Sequence, residues 1–69
     1  MTVQTDLKKA AAAAQSALGS YQTFAESTQD QAAKLMYQEL AVDMERHVDV
    51  LNARLKYLSN INPLNQQLT

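Results

Sequence analysis

A four-three spacing of apolar and small residues runs along two long segments of this chain. The turn between them is too short to hold a third element. The first segment carries Val3, Leu7, Ala10, Ala14, Ala17, Tyr21 and Phe24. The second carries Ala33, Tyr37, Leu40, Met44, His47, Leu51, Arg54, Leu58 and Ile61. Steps of four and three average 3.5 residues, so each set forms a stripe along one face of a helix. The spacing predicts an all-α chain, an antiparallel two-helix hairpin with coiled-coil-like packing.

Size then limits how such a hairpin can be stable. At 69 residues the chain is one domain at most. Two helices bury little apolar surface, and the absence of cysteine removes disulfides and thiolate metal sites as supports. The missing stabilisation must come from a partner, most simply a second copy. Two hairpins related by a two-fold axis would make a four-helix bundle. A net charge of −1 argues against general nucleic-acid binding, which needs a basic excess. Lys8 and Lys9 before an alanine run resemble a signal peptide, but the run ends at Gln15 and Ser16. No stretch approaches the ~20 apolar residues of a membrane span. The expected location is cytoplasmic.

The boundaries are marked by local chemistry. Thr2 or Thr5 can cap the first helix, and Asp6 suits its positive end. Gly19 reads as a tolerated surface glycine. Ser27 to Asp30 form the turn, and Thr28 with Gln31 fits a capping box. Asn60, Asn62 and Pro63 stop the second helix. The expected hairpin covers 1–62, with helix one at about 3–26, a turn at 27–30 and helix two at about 30–60. Residues 63–69 read as a flexible tail.

The two segments differ in bulk. The first holds seven alanines and five larger apolar residues, and the second, through Ile61, holds four and thirteen. An antiparallel register with its corner at Thr28 sets Ala14 against Met44, Ala17 against Leu40, Ala10 against His47 and Leu7 against Leu51. Small side chains then meet large ones. Leu35, Met36, Val42, Val48 and Val50 widen the second stripe, and Leu55, Tyr57, Leu58 and Ile61 extend past the start of the first helix. Apolar surface beyond what one thin helix covers points to association. The expected interface is Leu40, Met44, His47, Leu51, Leu55 and Leu58.

Chemistry-bearing residues are few. His47 stands on the stripe with Asp43 and Glu39 at successive turns before it. In a dimer, two such sets could offer histidine and carboxylate ligands for zinc, iron or manganese. The inward Glu-x-x-His of di-iron bundles is absent, because Met44 stands three residues before His47. The stronger reading is a polar residue that fixes register, paired with Asp43. Arg54 falls opposite Val3, where its stem can pack while the guanidinium reaches water, or it can pair with an acidic side chain such as Asp6. Tyr21, Tyr37 and Tyr57 read as core or core-edge packing with hydroxyls at the rim. One glycine excludes a glycine-rich phosphate loop, and no nucleophile-base pair stands out. The expectation is a protein with no enzyme activity and no cofactor.

Four segments carry a family resemblance: Met1-Thr2-Val3, Tyr21-Gln-Thr-Phe24-Ala25, the corner Ser27 to Lys34, and Leu51 to Leu58. Across roughly residues 1–58 the chain resembles the small bacterial domain-of-unknown-function family numbered sixteen fifty-seven, found largely in spore-forming Firmicutes. Members usually end in an acidic stretch and Glu-Pro-Gln-Tyr, where this chain has Asn62-Pro63-Leu64-Asn65. The resemblance implies a small helical protein that often occurs beside genes for spore inner-membrane channel proteins. It supplies no catalytic residues. Together these readings give a homodimeric, non-enzymatic interaction module linked to sporulation or a spore membrane protein. The alternative is a small metal-binding bundle using Glu39, Asp43 and His47.

Overall fold

The fold, obtained as a computed structural model, describes residues 2–61, and for Ile61 the backbone only. The expected tail at 63–69 and the stop signals Asn62 and Pro63 lie outside the described residues. Two helices make up the rest: α1, Val3–Ser27, and α2, Gln31–Ile61. They pack along each other as an antiparallel hairpin about 50 Å long. The boundaries agree with the sequence reading to within about a residue.

Each end of α1 is satisfied locally. Thr2 has extended backbone and its hydroxyl accepts from the Thr5 amide at 3.0 Å. Asp6 sits in the first turn, where its charge opposes the helix dipole. At the far end the Thr28 amide donates to the Phe24 carbonyl at 3.0 Å. The cap of α2 differs from expectation. Asp30, not Thr28, is the capping side chain: its Oδ2 accepts from the Ala33 amide at 2.9 Å. Thr28 accepts from the Asp30 amide at 3.3 Å and so shapes the turn that presents the cap. A carboxylate satisfies the free amides and faces the positive end of the dipole, an advantage the hydroxyl lacks.

The seam between the helices follows a four-three spacing, in a different phase from the one expected. On α1 the buried or half-buried positions are Gln4, Leu7, Ala11, Ala14, Leu18, Tyr21 and Ala25, with Thr5 and Ala17 half-buried beside them. On α2 they include Tyr37, Ala41, Met44, Val48, Leu51, Leu55 and Leu58. Leu7, Ala14, Tyr21, Tyr37, Met44, Leu51 and Leu58 belong to both the expected and the observed seam. At the alternate steps the next residue along is the more buried. This holds for Leu18 over Ala17 and Ala41 over Leu40, where both members are at least half-buried. It holds also for Ala25 over Phe24 and Val48 over His47, where the expected member is exposed. Val3 and Phe24 are 67% and 47% exposed, and Ala10, His47 and Arg54 also face solvent. At three of these steps the bulkier or more apolar side chain is buried, since Leu18, Val48 and Leu55 transfer more apolar area than Ala17, His47 and Arg54; at Phe24/Ala25 and Val3/Gln4 the order is reversed.

Near the corner the register agrees with the sequence. Tyr21 stacks on Tyr37 with ring centroids 6.5 Å apart, and Phe24 tilts against Tyr37 at 5.5 Å. At the open end Gln4 is buried and its Nε2 donates to Ser59 Oγ at 3.3 Å. Its Oε1 is enclosed without a hydrogen-bond partner. Gly19 lies on the exposed side of α1 with nothing within 4 Å of where a Cβ would stand, in keeping with a surface glycine. No helix among the described residues is long and apolar enough to cross a membrane.

Candidate functional site: an uncovered helical face

The candidate metal ligands lie on the surface of α2. Glu39, Asp43 and His47 are all exposed. Asp43 does not pair with His47. Its Oδ1 instead faces Arg46 Nη2 at 3.7 Å, a pair one turn apart with both side chains largely in water. Such a pair contributes little. No group of three or more His, Cys, Asp or Glu side chains gathers among the described residues. The expected carboxylate and histidine set is therefore not assembled within one copy.

Arg54 is exposed and does not take the pairing with Asp6. Its guanidinium lies over the Tyr57 ring of its own helix, 5.1 Å from the centroid, and not against Asp6. An arginine over an aromatic face gains from the ring quadrupole. Tyr57, read as core-edge, is 51% exposed.

The expected interface residues divide into two kinds. Met44, Leu51, Leu55 and Leu58 are half-buried in the seam of the hairpin, and Leu40 is half-buried at its margin. His47 is outside it. Beside them stands a larger exposed apolar set: Val3, Phe24, Leu35, Met36, Val42, Val50 and Tyr57, each between 46% and 67% accessible. The apolar side chains buried within the hairpin are only Leu18, Ala25, Ala41 and Val48 among the described residues. Two shallow grooves line α2, one edged by Leu35, Glu39, Val42 and Asp43, the other by Arg46, His47, Val50 and Leu51. Both are open troughs along a single helix, with no enclosed space for a substrate.

The model of the DUF1657 family, proteins of unknown function, matches residues 7–55. The chain belongs to the DUF1657 family. The match spans both helices and the turn, so the family feature is the hairpin itself. Comparison with curated proteins and with solved structures gives no match.

Sequence reasoning missed Leu18, Ala41 and Gln4 as seam residues. A signal for the first was present. Leu18 is the larger apolar side chain at its contested step, whereas Ala41 and Ala25 are buried beside the bulkier Leu40 and Phe24 and carry no such signal. Gln4 had no such signal, because an amide beside Val3 reads as solvent-facing.

Proposed function

We propose that this DUF1657 chain is a non-enzymatic assembly module that works as a self-associated helical hairpin. The observation that carries the reading is the imbalance just described: more large apolar side chains lie exposed than lie buried. The core that opposes the entropy of ordering two long helices is small: four buried apolar side chains, with half-buried ones such as Leu7, Met44 and Leu51 along the seam. A second copy removes the exposed set from water and supplies the missing burial. The link to sporulation, and to a spore membrane protein as the client, follows from the family resemblance and belongs to the same proposal.

Association coupled to folding makes helicity depend on concentration. Sedimentation velocity and far-ultraviolet circular dichroism across the micromolar range test this. The expected result is a dimer whose thermal midpoint falls on dilution. A stably folded monomer at low micromolar concentration would overturn the reading. The spore link is tested separately by a fluorescent fusion followed through development, with accumulation in the forespore expected. Equal levels in vegetative cells would remove that part.

A further inference from the structure

The phase difference between the sequence stripe and the observed seam locates the face that a second copy covers. Successive residues turn by 100° around a helix. The stripe and the seam share every second position. At the others the stripe takes the preceding residue: Val3 for Gln4, Ala10 for Ala11, His47 for Val48. Moving half the members by one residue shifts the centre of the stripe by about 50° from the line joining the two helices. The shift runs toward lower residue number on both helices. In an antiparallel pair, both the chain direction and the direction of facing reverse between partners. The two displacements therefore tip toward the same broad side of the hairpin. In a square four-helix bundle the central axis lies 45° off the line between neighbours. Each stripe thus points at the centre of such a bundle, on the side where a second hairpin would lie.

The composition of the two broad sides agrees. The side toward which the stripes tip carries Val3, Ala10, Phe24, Met36, Leu40 and His47. The opposite side carries Gln15, Gln22, Glu26, Gln38, Glu45 and Asp49, together with Leu35 and Val42, and the groove there is lined by Gln22, Glu26 and Gln38 with Ala25, Ala41 and Val42. Of the seven large apolar side chains left exposed, Val3, Phe24, Met36, Val50 and Tyr57 lie on the first side and Leu35 and Val42 on the second, so the first is the more apolar. The face measures roughly 50 by 16 Å. Covering it would remove about 800 Å² from each copy, or about 1,600 Å² in all, the size of a standard stable interface.

We infer that the apolar side is the interface with a second copy, and that the two-fold axis runs along the length of the bundle, with both turns at the same end. This rests on the self-association proposed above and specifies its geometry. In this arrangement each α1 lies on the partner's α2. The thin, alanine-rich helix then meets the bulky one at every contact, and the four interaxial distances match. With the turns at opposite ends, α2 would lie on α2 and α1 on α1, leaving one contact overfilled and the other empty. Charge agrees with the first choice. Asp6 and Arg54 sit at the open end, each about 100° from the seam on the apolar side. Within one copy they do not meet, since Arg54 lies over Tyr57. With α1 on the partner's α2 at the same level, Arg54 faces Asp6 of the partner subunit. The pairings Ala17 with Leu40 and Ala10 with His47, read from the sequence, then form between copies.

The full chain lacks cysteine, so Gln29→Cys in the exposed turn gives a single labelling site. Pulsed dipolar spectroscopy on the nitroxide-labelled dimer reads the distance between turns. Helices about 10 Å apart place the two labels within about 25 Å when the turns share an end. Turns at opposite ends separate them by roughly the 50 Å length of the hairpin. A long distance overturns the arrangement and leaves self-association standing. A sample that is monomeric throughout overturns both. Charge reversal supplies the second readout. Arg54→Glu should weaken dimerisation about tenfold or more, and Arg54→Glu with Asp6→Arg should restore it to within about threefold. Circular dichroism at saturating concentration checks that each variant is helical. A double variant no tighter than the single one overturns the Arg54–Asp6 contact and the arrangement with it.

Discussion

At the scale of single residues, local hydrogen bonding decided matters that side-chain pattern alone left open. The corner is the clearest case. Thr28, Asp30 and Gln31 all have capping potential, and the structure gives the helix amide to Asp30. Asp30→Ala should therefore cost about 1 kcal/mol, while Thr28→Ala, which loses only the bond to the Asp30 amide, should cost less. Urea denaturation of the two variants at one protein concentration checks the order, and a larger loss for Thr28→Ala would return the cap to the threonine. Gly19 offers the opposite sign. A methyl group there meets nothing within 4 Å, so Gly19→Ala should stabilise by up to about 1 kcal/mol, or roughly 4–8 °C in a chain this size. A lower melting temperature would mean that something covers that surface. His47 is exposed and without Asp43 as partner. Burial in the seam therefore gives no reason for its being a histidine. His47→Leu should leave helicity intact. Added zinc should not raise the melting temperature of the unaltered chain; a rise abolished in both His47→Leu and Asp43→Ala would establish the carboxylate and histidine site instead.

At the scale of the helix, existence, length and antiparallel pairing were legible in the sequence, and the rotation of each helix about its axis was only half legible. Period and breakers determine where a helix runs, and a three-residue corner leaves little choice of direction. Rotation depends on which neighbouring side chains win burial. Here the apolar stripe is wider than the seam, so its average direction is not the direction of the partner helix. Leu18 shows the difference. It lies beside Ala17 on the wheel and is 8% exposed, whereas Ala17 is only half-buried. Leu18→Ala should cost about 2–3 kcal/mol by leaving a void in the seam, toward the low end for leucine because a two-helix core can partly collapse. Ala14 belongs to the seam in either phase, and Ala14→Leu should cost about 1–3 kcal/mol by overpacking near Met44. Thermal melts of the two variants give the comparison. If Leu18→Ala is neutral while Ala17→Gly is severe, the sequence phase is the true one and the helices are rotated back.

At the scale of the whole molecule, one hairpin is a half-made object: most of its exposed large apolar side chains gather on one broad side. The candidate site was legible as apolar surplus on α2, but its location was not, because that needs the rotation of both helices together. Two alanines on α1 separate the complete from the incomplete account. Ala10 and Ala12 are both exposed in the hairpin, both lie mid-helix, and both carry the same helix propensity. Ala10 faces the apolar side with Val3 and Phe24. Ala12 faces the polar side near Lys8 and Gln15. In an isolated hairpin, Ala10→Glu and Ala12→Glu would each change stability by no more than about 0.5 kcal/mol. In the two-fold bundle, Ala10→Glu places a carboxylate in a dry contact beside the partner's His47 and Val50, while Ala12→Glu remains in water. The expected outcome is at least a tenfold loss of dimer affinity for Ala10→Glu and a change within about twofold for Ala12→Glu, since an unpaired charge in a dry contact costs more than one left at the surface. Sedimentation equilibrium measures both. Equal affinities for the two variants would mean that the apolar side is not where the copies meet.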